Sequence, residues 1–214
     1  MPASLSVAED IVRSMAKTAL DNEQYFCQLD SVVGDGDFGY SLARGFEKVM
    51  EEFDSIDRTD VGTFLKKVGI IITSRCGGTS GPIWGTAFLR AGMAAGTRSE
   101  LGTADVVAML RAAFEGIQKR GGAALGDKTL LDALDPLITS FERELAAAAK
   151  PGAAFAAAAA AAKEAADKTS ELVAKRGRAA YTGERSRGSP DAGAIAVALM
   201  ARDVSERCTA TAAD

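Results

Sequence analysis

The chain contains, at residues 29–39, the stretch LDSVVGDGDFG, in which Asp30, Asp35 and Asp37 lie within eight residues and are interspersed with glycines. Carboxylates this close repel one another strongly unless a cation lies among them. Ligands that are all oxygen favour a hard cation such as Mg²⁺ or Ca²⁺, which enzymes use to bind nucleotide phosphates. The alternative interpretation is turn and cap chemistry, because Asp and Gly are common in tight loops. Three aspartates together favour the metal site.

Two absences narrow the chemistry of this stretch. Counted from Asp35, loop positions six and twelve hold Tyr40 and Phe46, where an EF-hand requires glycine and glutamate, so an EF-hand is excluded. The chain also contains no histidine. Any step that requires a histidine base, nucleophile or metal ligand must therefore use a residue of another molecule.

Apolar residues recur at helical spacing on both sides of the aspartates, and no segment predicts a convincing strand. The pattern therefore predicts an all-α protein that forms one domain over residues 1–214, with no internal repeat and no long linker. The predicted elements are helices at about 3–25, 39–53 and 82–96, helices that start near Asp60, Thr103, Asp127 and Pro151, a last helix after residue 190, an aspartate-containing loop at 26–38 and a basic loop at 175–190.

The composition is that of an ordinary globular protein, with 47% hydrophobic and 25% charged residues in 214. The net charge of −4 gives no reason to expect binding to nucleic acid or to an anionic membrane. The most apolar run, Ala153 to Ala162, is too short and too weakly hydrophobic to span a bilayer. Three widely spaced cysteines without a CxxC argue against a disulfide framework and a zinc site, so we expect a reducing compartment, the cytoplasm.

A second motif, GGTSG at residues 77–81, stands at the start of a predicted helix. Free backbone N–H groups at a helix N-terminus, together with two hydroxyl groups, form an anion site, and glycines let the backbone approach a phosphate. The motif is not a Walker A loop, because Gly-Lys-Ser/Thr is missing. The alternative is a plain helix–helix turn with a threonine or serine cap.

The basic loop carries KRGR at residues 175–178 and GERSR at 183–187. A run of charges is usually a solvated surface, but an arginine here is also suited to bind phosphate oxygens with its planar guanidinium. A fourth motif, GDKT at residues 126–129, is interpreted mainly as a helix cap, in which Asp127 holds the loop.

Four segments together resemble subunit L of dihydroxyacetone kinase, the nucleotide-binding part of that enzyme. They are GDGDFGYSLARGFEKV (34–49), GGTSGPIWGTAFLRA (77–91), GDKTLLDAL (126–134) and KRGRAAYTGERSRGSPDAGA (175–194), in the order and at the spacing of the family. The resemblance implies an eight-helix barrel of antiparallel helices with the nucleotide site at one end.

The resemblance also implies which residues form the site. Asp30, Asp35 and Asp37 match the family's Mg²⁺ ligands, and Arg178 matches the arginine that stabilises charge on the transferring phosphoryl group or on the leaving ADP. The other implied nucleotide contacts are Phe38, Gly39, Tyr40, Ser41, Gly78, Thr79, Ser80, Gly121, Leu130, Asp191, Ala192 and Gly193. Two of these depart from the family, since position 38 is often histidine or cysteine and position 41 often asparagine or threonine.

In this family the ketose is bound covalently by a histidine of a separate subunit K, which fits the absence of histidine here. The resemblance implies Mg²⁺ and a nucleotide as cofactors. The nucleotide is either a tightly bound ADP that subunit M of the phosphotransferase system recharges from phosphoenolpyruvate, or an ATP that exchanges freely. The acceptor is dihydroxyacetone or another short ketose such as erythrulose, and a homodimer is left open. The rival hypotheses are a non-catalytic nucleotide sensor and a purely structural helical bundle.

Overall fold

The computed structural model describes residues 4–98 and 100–210, except for the side chains of residues 208–210. The described part of the chain forms nine α-helices and three short 3₁₀ segments and contains no strand. The helices are α1 (Leu5–Asp21), α2 (Glu23–Ser31), α3 (Phe38–Glu51), α4 (Val61–Arg75), α5 (Ser80–Ala95), α6 (Thr103–Gly121), α7 (Leu131–Ala146), α8 (Pro151–Lys168) and α9 (Ala192–Ala210). The 3₁₀ segments are Phe53–Ser55, Thr169–Glu171 and Arg178–Ser186. The predicted all-α class is confirmed.

Two predicted boundaries differ from the structure. The first predicted helix is two helices that meet at Asn22, and the second of them, α2, continues to Ser31 inside the predicted loop. Burial explains this extension, because Phe26 is completely buried and orders the segment. The helix predicted to start at Asp127 begins at Leu131, since the Asp132 side chain accepts hydrogen bonds from the backbone N–H groups of Gly126 and Thr129 and holds residues 126–129 as a turn.

The chain divides into two compact units. The first unit contains residues 1–20 and 41–122, and the second contains residues 21–40 and 123–214. The chain passes from one unit to the other between Leu20 and Asp21 in α1, between Tyr40 and Ser41 in α3, and after Gly122. The prediction of a single domain stays a prediction.

Close helix packing and aromatic contacts stabilise the first unit. Helices α4 and α5 touch through glycines: a Cβ on Gly62 would collide with the carbonyl oxygen of Gly96, and one on Gly69 would lie 2.8 Å from that of Gly85. The rings of Phe53 and Phe64 meet edge to face with centroids 5.8 Å apart, an arrangement that adds to the burial energy.

In the second unit the alanine-rich α8 packs against α7 and α9. Its buried face consists mainly of alanines spaced one helical turn apart, such as Ala154, Ala158 and Ala162. Their small side chains let neighbouring helices approach closely, while alanine itself favours the helix. Phe155 supplies the larger contact, an edge-to-face pair with Phe141 at 5.5 Å between centroids.

Among the described residues, no helix combines the length and the apolar character that a membrane crossing requires.

Replacing Asp60 with alanine should lower the free energy of unfolding by about 1–2 kcal/mol, because Asp60 is the N-cap of α4. Its carboxylate accepts hydrogen bonds from the backbone N–H of Thr63, at 2.6 Å, and from the Thr63 hydroxyl, at 3.1 Å. Urea denaturation followed by circular dichroism measures the loss. Asp60→Asn is the matched control, since its amide oxygen still accepts and its loss should be smaller. Equal losses in the two variants would show that charge, and not capping, stabilises this helix start.

Candidate metal and nucleotide site

The three aspartates converge in the second unit. Asp30, Asp35 and Asp37 each offer a carboxylate oxygen, and these oxygens lie within 4.8 Å of one another. Two oxygens on opposite sides of a Mg²⁺ ion are about 4.2 Å apart, so the set fits this ion after a small side-chain adjustment. Asp30 is half-buried and the other two are exposed, which leaves room for the further oxygen ligands that Mg²⁺ takes from water and phosphates. The donor set therefore suits a hard divalent cation.

Asp30 shapes the aspartate loop, residues 32–37, which follows α2. Its carbonyl oxygen accepts a hydrogen bond of 2.6 Å from the N–H of Gly34, and its carboxylate accepts bonds of 2.9 and 3.4 Å from the N–H groups of Gly36 and Phe38. Gly36 has a φ of 76°, a conformation that glycine adopts at little cost. These bonds turn the chain back over Asp30 and bring Asp35 and Asp37 to it.

The start of α3 is fastened to α2 directly after the aspartates. A Cβ on Gly39 would collide with the carbonyl oxygen of Glu23, so only glycine lets these backbones touch. The N–H of Tyr40 lies 3.2 Å from the Cys27 sulfur. Phe38 contacts the buried ring of Phe26, with centroids 6.0 Å apart. Phe38, Gly39 and Tyr40 thus lie beside the carboxylates, and a phenylalanine at position 38 is accommodated by aromatic packing.

The electrostatics of the cluster favour a cation. Partial desolvation of the Asp37 carboxylate raises its pKa, although the residue is exposed overall; the neighbouring charges of Asp35 and Asp30 raise it further, and Arg178 opposes them. The Arg178 guanidinium forms an ion pair with Asp35, with 2.7 Å between Nε and Oδ2. One guanidinium faces three carboxylates, so the cluster keeps an excess of negative charge that a divalent ion would neutralise.

The basic loop is tied down by Asp127, whose side chain is almost completely buried. The Arg176 Nε lies 2.9 Å and the Lys175 Nζ 3.5 Å from its two carboxylate oxygens. Hydrogen bonding from the Ala124 N–H and these two cations keeps the pKa of Asp127 below its ordinary value. The interpretation of Asp127 as a helix cap is wrong, since α7 begins only at Leu131 and the Asp127 carboxylate instead binds the Ala124 N–H, Lys175 and Arg176. Of the two arginines in KRGR, it is Arg178 that pairs with an aspartate of the cluster.

Asp191 caps α9 and brings the last predicted contacts together. Its carboxylate accepts a hydrogen bond of 2.7 Å from the Ala194 N–H, and its own N–H donates to the Thr169 hydroxyl at 2.8 Å. A Cβ on Gly193 would lie 3.4 Å from Cβ of Leu130, so the start of α9, including Ala192, adjoins the turn before α7. Leu130 and residues 191–193 therefore form one neighbourhood in the second unit.

The remaining predicted contacts belong to the first unit. The turn before α5 has Gly78 at a φ of 60°, and the Thr79 side chain does not cap the helix, which argues against the simple cap interpretation at that residue. Ser41 is buried, and its hydroxyl oxygen lies close to Gly77, only 3.0 Å from the point where a Cβ atom would stand if that residue had a side chain. Gly121, at the end of α6, adjoins Ile83 in the first turn of α5. Ser41, Ser80 and Gly121 thus lie around one turn.

The burial of Lys128 was not predicted from the sequence. Lys128 has a backbone φ of 62°, which is unusual for a residue other than glycine, and the residue is only 3% exposed. Nothing in the spacing of GDKT distinguishes a buried lysine from a solvated one. Asp132 was also missed as the residue that shapes the turn, although an aspartate near a helix start is a recognisable signal.

Comparison with known proteins now defines the class of this protein. The family model described as the DAK2 domain matches residues 32–206. The chain therefore belongs to the DAK2 domain family.

Individual relatives narrow the class further. The chain is 38% identical over 177 residues to "PEP-dependent dihydroxyacetone kinase, ADP-binding subunit DhaL" of Escherichia coli K12, which covers 83% of this chain and 84% of the relative. It is 37% identical over 198 residues to "D-erythrulose kinase" of Mycolicibacterium smegmatis, covering 92% of this chain and 34% of that longer protein. The resemblance to subunit L is thereby confirmed.

A solved structure shares the fold. The dihydroxyacetone kinase of C. freundii, in complex with AMP-PNP and Mg²⁺, superposes with a TM-score of 0.74 at 26% identity. The match covers 97% of this chain, which spans 35% of the C. freundii chain.

Asp191 should make stability depend on pH in Mg²⁺-free solution. Mainly burial, together with the nearby charge of Asp132, raises the pKa of Asp191 to about 7. The hydrogen bond from the Ala194 N–H and the charge of Lys128 act in the opposite direction. Since the unfolded chain has the ordinary pKa near 3.9, the folded state binds more protons between about pH 4 and 7. The free energy of unfolding should therefore fall as pH rises through this window.

Urea unfolding in EDTA at several pH values, compared with Asp191→Asn, measures this contribution. The amide oxygen of the Asp191→Asn variant still accepts the hydrogen bond from the Ala194 N–H, but the amide does not titrate. The variant should therefore gain stability relative to the wild type as pH increases. Parallel curves for the two proteins would contradict the assignment. Asp167→Asn, which changes an exposed carboxylate on α8, is the control for nonspecific charge effects.

Proposed function

We propose that this chain is the nucleotide-binding subunit of a short-ketose kinase, and that it transfers a phosphoryl group from a Mg²⁺-bound nucleotide to dihydroxyacetone held by a separate subunit K. The observation that carries the proposal is the convergence of Asp30, Asp35 and Asp37 with Arg178 paired to Asp35. Phosphoryl transfer requires mainly positioning and charge neutralisation, which such a constellation supplies.

Each residue has a proposed role. The three carboxylates would hold Mg²⁺, which when bound neutralises charge on phosphate oxygens. Arg178 would donate hydrogen bonds to the transferring phosphoryl group or to the leaving ADP. Thr79 and Ser80, with the N–H groups at the start of α5, would bind phosphate oxygens. Leu130 and Gly121 would contact the adenine, and Asp191 to Gly193 would complete the nucleotide contacts.

The other predicted contacts fit the same proposal. Phe38, Gly39 and Tyr40 follow the metal carboxylates directly, and their N–H groups belong to the first turn of α3. Ser41 and Gly78 flank the proposed phosphate turn of the first unit. The chain has no histidine, so the base for the ketose hydroxyl is assigned to subunit K.

The phosphoryl donor is proposed to be a tightly bound nucleotide that a phosphotransferase-system protein, subunit M, recharges from phosphoenolpyruvate. The name of the E. coli relative, a PEP-dependent kinase with an ADP-binding subunit, supports this choice. Exchange of free ATP is the alternative donor route. Erythrulose is the alternative acceptor, supported by the name of the M. smegmatis relative.

Nucleotide that copurifies with the protein should be lost on chelation with EDTA, because the carboxylates bind it through the metal. Asp35→Asn and Asp37→Asn should each weaken Mg-ADP binding by at least about tenfold, as removal of ligand charge weakens a metal site. Isothermal titration with Mg-ADP measures the change. Asp167→Asn, an exposed carboxylate paired with Lys163, should bind as the wild type does. Wild-type affinity for Mg-ADP in the Asp35 and Asp37 variants would contradict the metal site. Absence of Mg-ADP binding in the wild type as well would leave a structural bundle.

Turnover of dihydroxyacetone should require the purified chain together with a K subunit and a phosphoryl donor. Arg178→Ala should lower kcat by about 10²–10³-fold, with little change in the ketose KM, because the guanidinium acts on charge in the transition state. A coupled assay with phosphoenolpyruvate or ATP identifies the donor. Arg202→Ala, on the surface of α9, is the control. Mg-ADP binding without turnover with any donor would favour a nucleotide sensor, and turnover without subunit K would contradict the division of roles.

A further inference from the structure

Lys128 is a buried lysine in a strained position that the proposed mechanism does not use. Its φ of 62° is unfavourable for a residue with a side chain, and the residue is only 3% exposed. A conformation of this kind is retained only when the surrounding contacts compensate for it. The contacts of the ammonium group supply that compensation.

The ammonium group binds three backbone carbonyls that belong to the two ends of the basic loop. Nζ donates to the carbonyl oxygens of Leu172, at 3.3 Å, Ser189, at 2.7 Å, and Ser186 in a shorter contact. Leu172 lies shortly before the basic loop, and Ser186 and Ser189 lie near the end of that loop, after Arg178. The Lys128 side chain thus joins the two ends of the segment that carries Arg178, and these joined ends are called the base of the loop.

A lysine suits this role because its ammonium has three donors and no acceptor. All three are used on carbonyl oxygens, so neither the charge nor the carbonyls are left without partners in a buried place. A second contact closes the same base: the Ala174 N–H donates to the Ser186 hydroxyl at 2.9 Å. The preceding residue, Asp127, holds the start of the loop through Arg176.

The loop fastened in this way presents Arg178 to Asp35. The arginine side chain is 70% exposed, and its Nε lies 2.7 Å from Oδ2 of Asp35. The position of the guanidinium therefore depends on the backbone of the loop, and that backbone depends on the Lys128 ammonium.

We propose that Lys128 is a positioning residue for phosphoryl transfer: by closing the base of the basic loop, its ammonium holds Arg178 beside the metal-binding carboxylates. The role rests on the function proposed above. If Lys128 has this positioning role, it acts on turnover only through Arg178. Loss of its ammonium group should then open the loop and leave the three aspartates in place.

The first experiment measures the loop itself, without reference to turnover. Trypsin cleaves after Lys175, Arg176 and Arg178, so the cleavage rate in the native protein reports how often the loop opens. Lys128→Met should raise this rate about tenfold or more. Lys128→Gly, which suits the positive φ, keeps the test usable if the methionine variant folds poorly. Lys163→Met, an exposed lysine on α8, is the matched control and should leave the rate unchanged. Unchanged cleavage in both Lys128 variants would overturn the proposal.

The second experiment is a double-mutant cycle with Arg178→Ala. Lys128→Met alone should lower kcat by about 10–100-fold, in the range for residues that orient a functional group, while Mg-ADP affinity and ketose KM stay within about twofold. In the Arg178→Ala background the same change should have little further effect on kcat. A purely structural role would lower the folded fraction, and its effect would multiply with that of Arg178→Ala, which would overturn the proposal.

The two proposals fail in different ways. If Arg178→Ala keeps the kcat of the wild type, or the wild type does not turn over, the proposed function is wrong, and the cleavage rates still decide whether Lys128 holds the loop. If Arg178→Ala behaves as expected and the Lys128 variants match the wild type, only the positioning role is wrong.

Discussion

The Asp30 side chain accepts hydrogen bonds from the backbone N–H groups of Gly36 and Phe38, and in doing so it closes the aspartate loop against the end of α2. The same carboxylate belongs to the group of three whose oxygens lie within 4.8 Å of one another. A loop folded by one of these three carboxylates brings the other two next to it without a separate scaffold. The cost is the partial desolvation and the mutual repulsion of the carboxylates, which together raise the pKa of Asp37 and which a bound cation would offset.

A second pair of charged residues, Asp127 and Lys128, holds the basic loop. Asp127 and Lys128 are adjacent and both buried, and they bind opposite partners: the former binds the cations of Lys175 and Arg176, and the latter binds carbonyl oxygens. Buried charges are costly unless they are fully paired, and here the pairing is with the loop that carries Arg178. Both charges of the turn thus bind the segment of chain around Arg178.

The sequence predicted the parts of the fold and site that depend on neighbours along the chain. The alanine-rich run was predicted as a helix because alanine favours helix wherever it stands, and α8 begins at Pro151 as expected. The start of α7 was predicted too early, because aspartate is a common helix cap and Asp127 was taken as one. In the structure its carboxylate binds Arg176, and Asp132 instead shapes the turn. The extent of α2 was underestimated for a related reason, since the burial of Phe26 depends on what packs over it.

The sequence by itself determined the all-helical class and the crowding of three carboxylates, because both follow from local spacing and composition. It also indicated the family, because four segments resemble that family in order and spacing. Only the tertiary structure decided that Arg178 meets Asp35, that Lys128 is buried under both ends of the basic loop, and that Asp191 has a pKa of about 7. These properties join residues far apart in the chain. Their energies depend on distance and burial, which no local pattern of residues specifies.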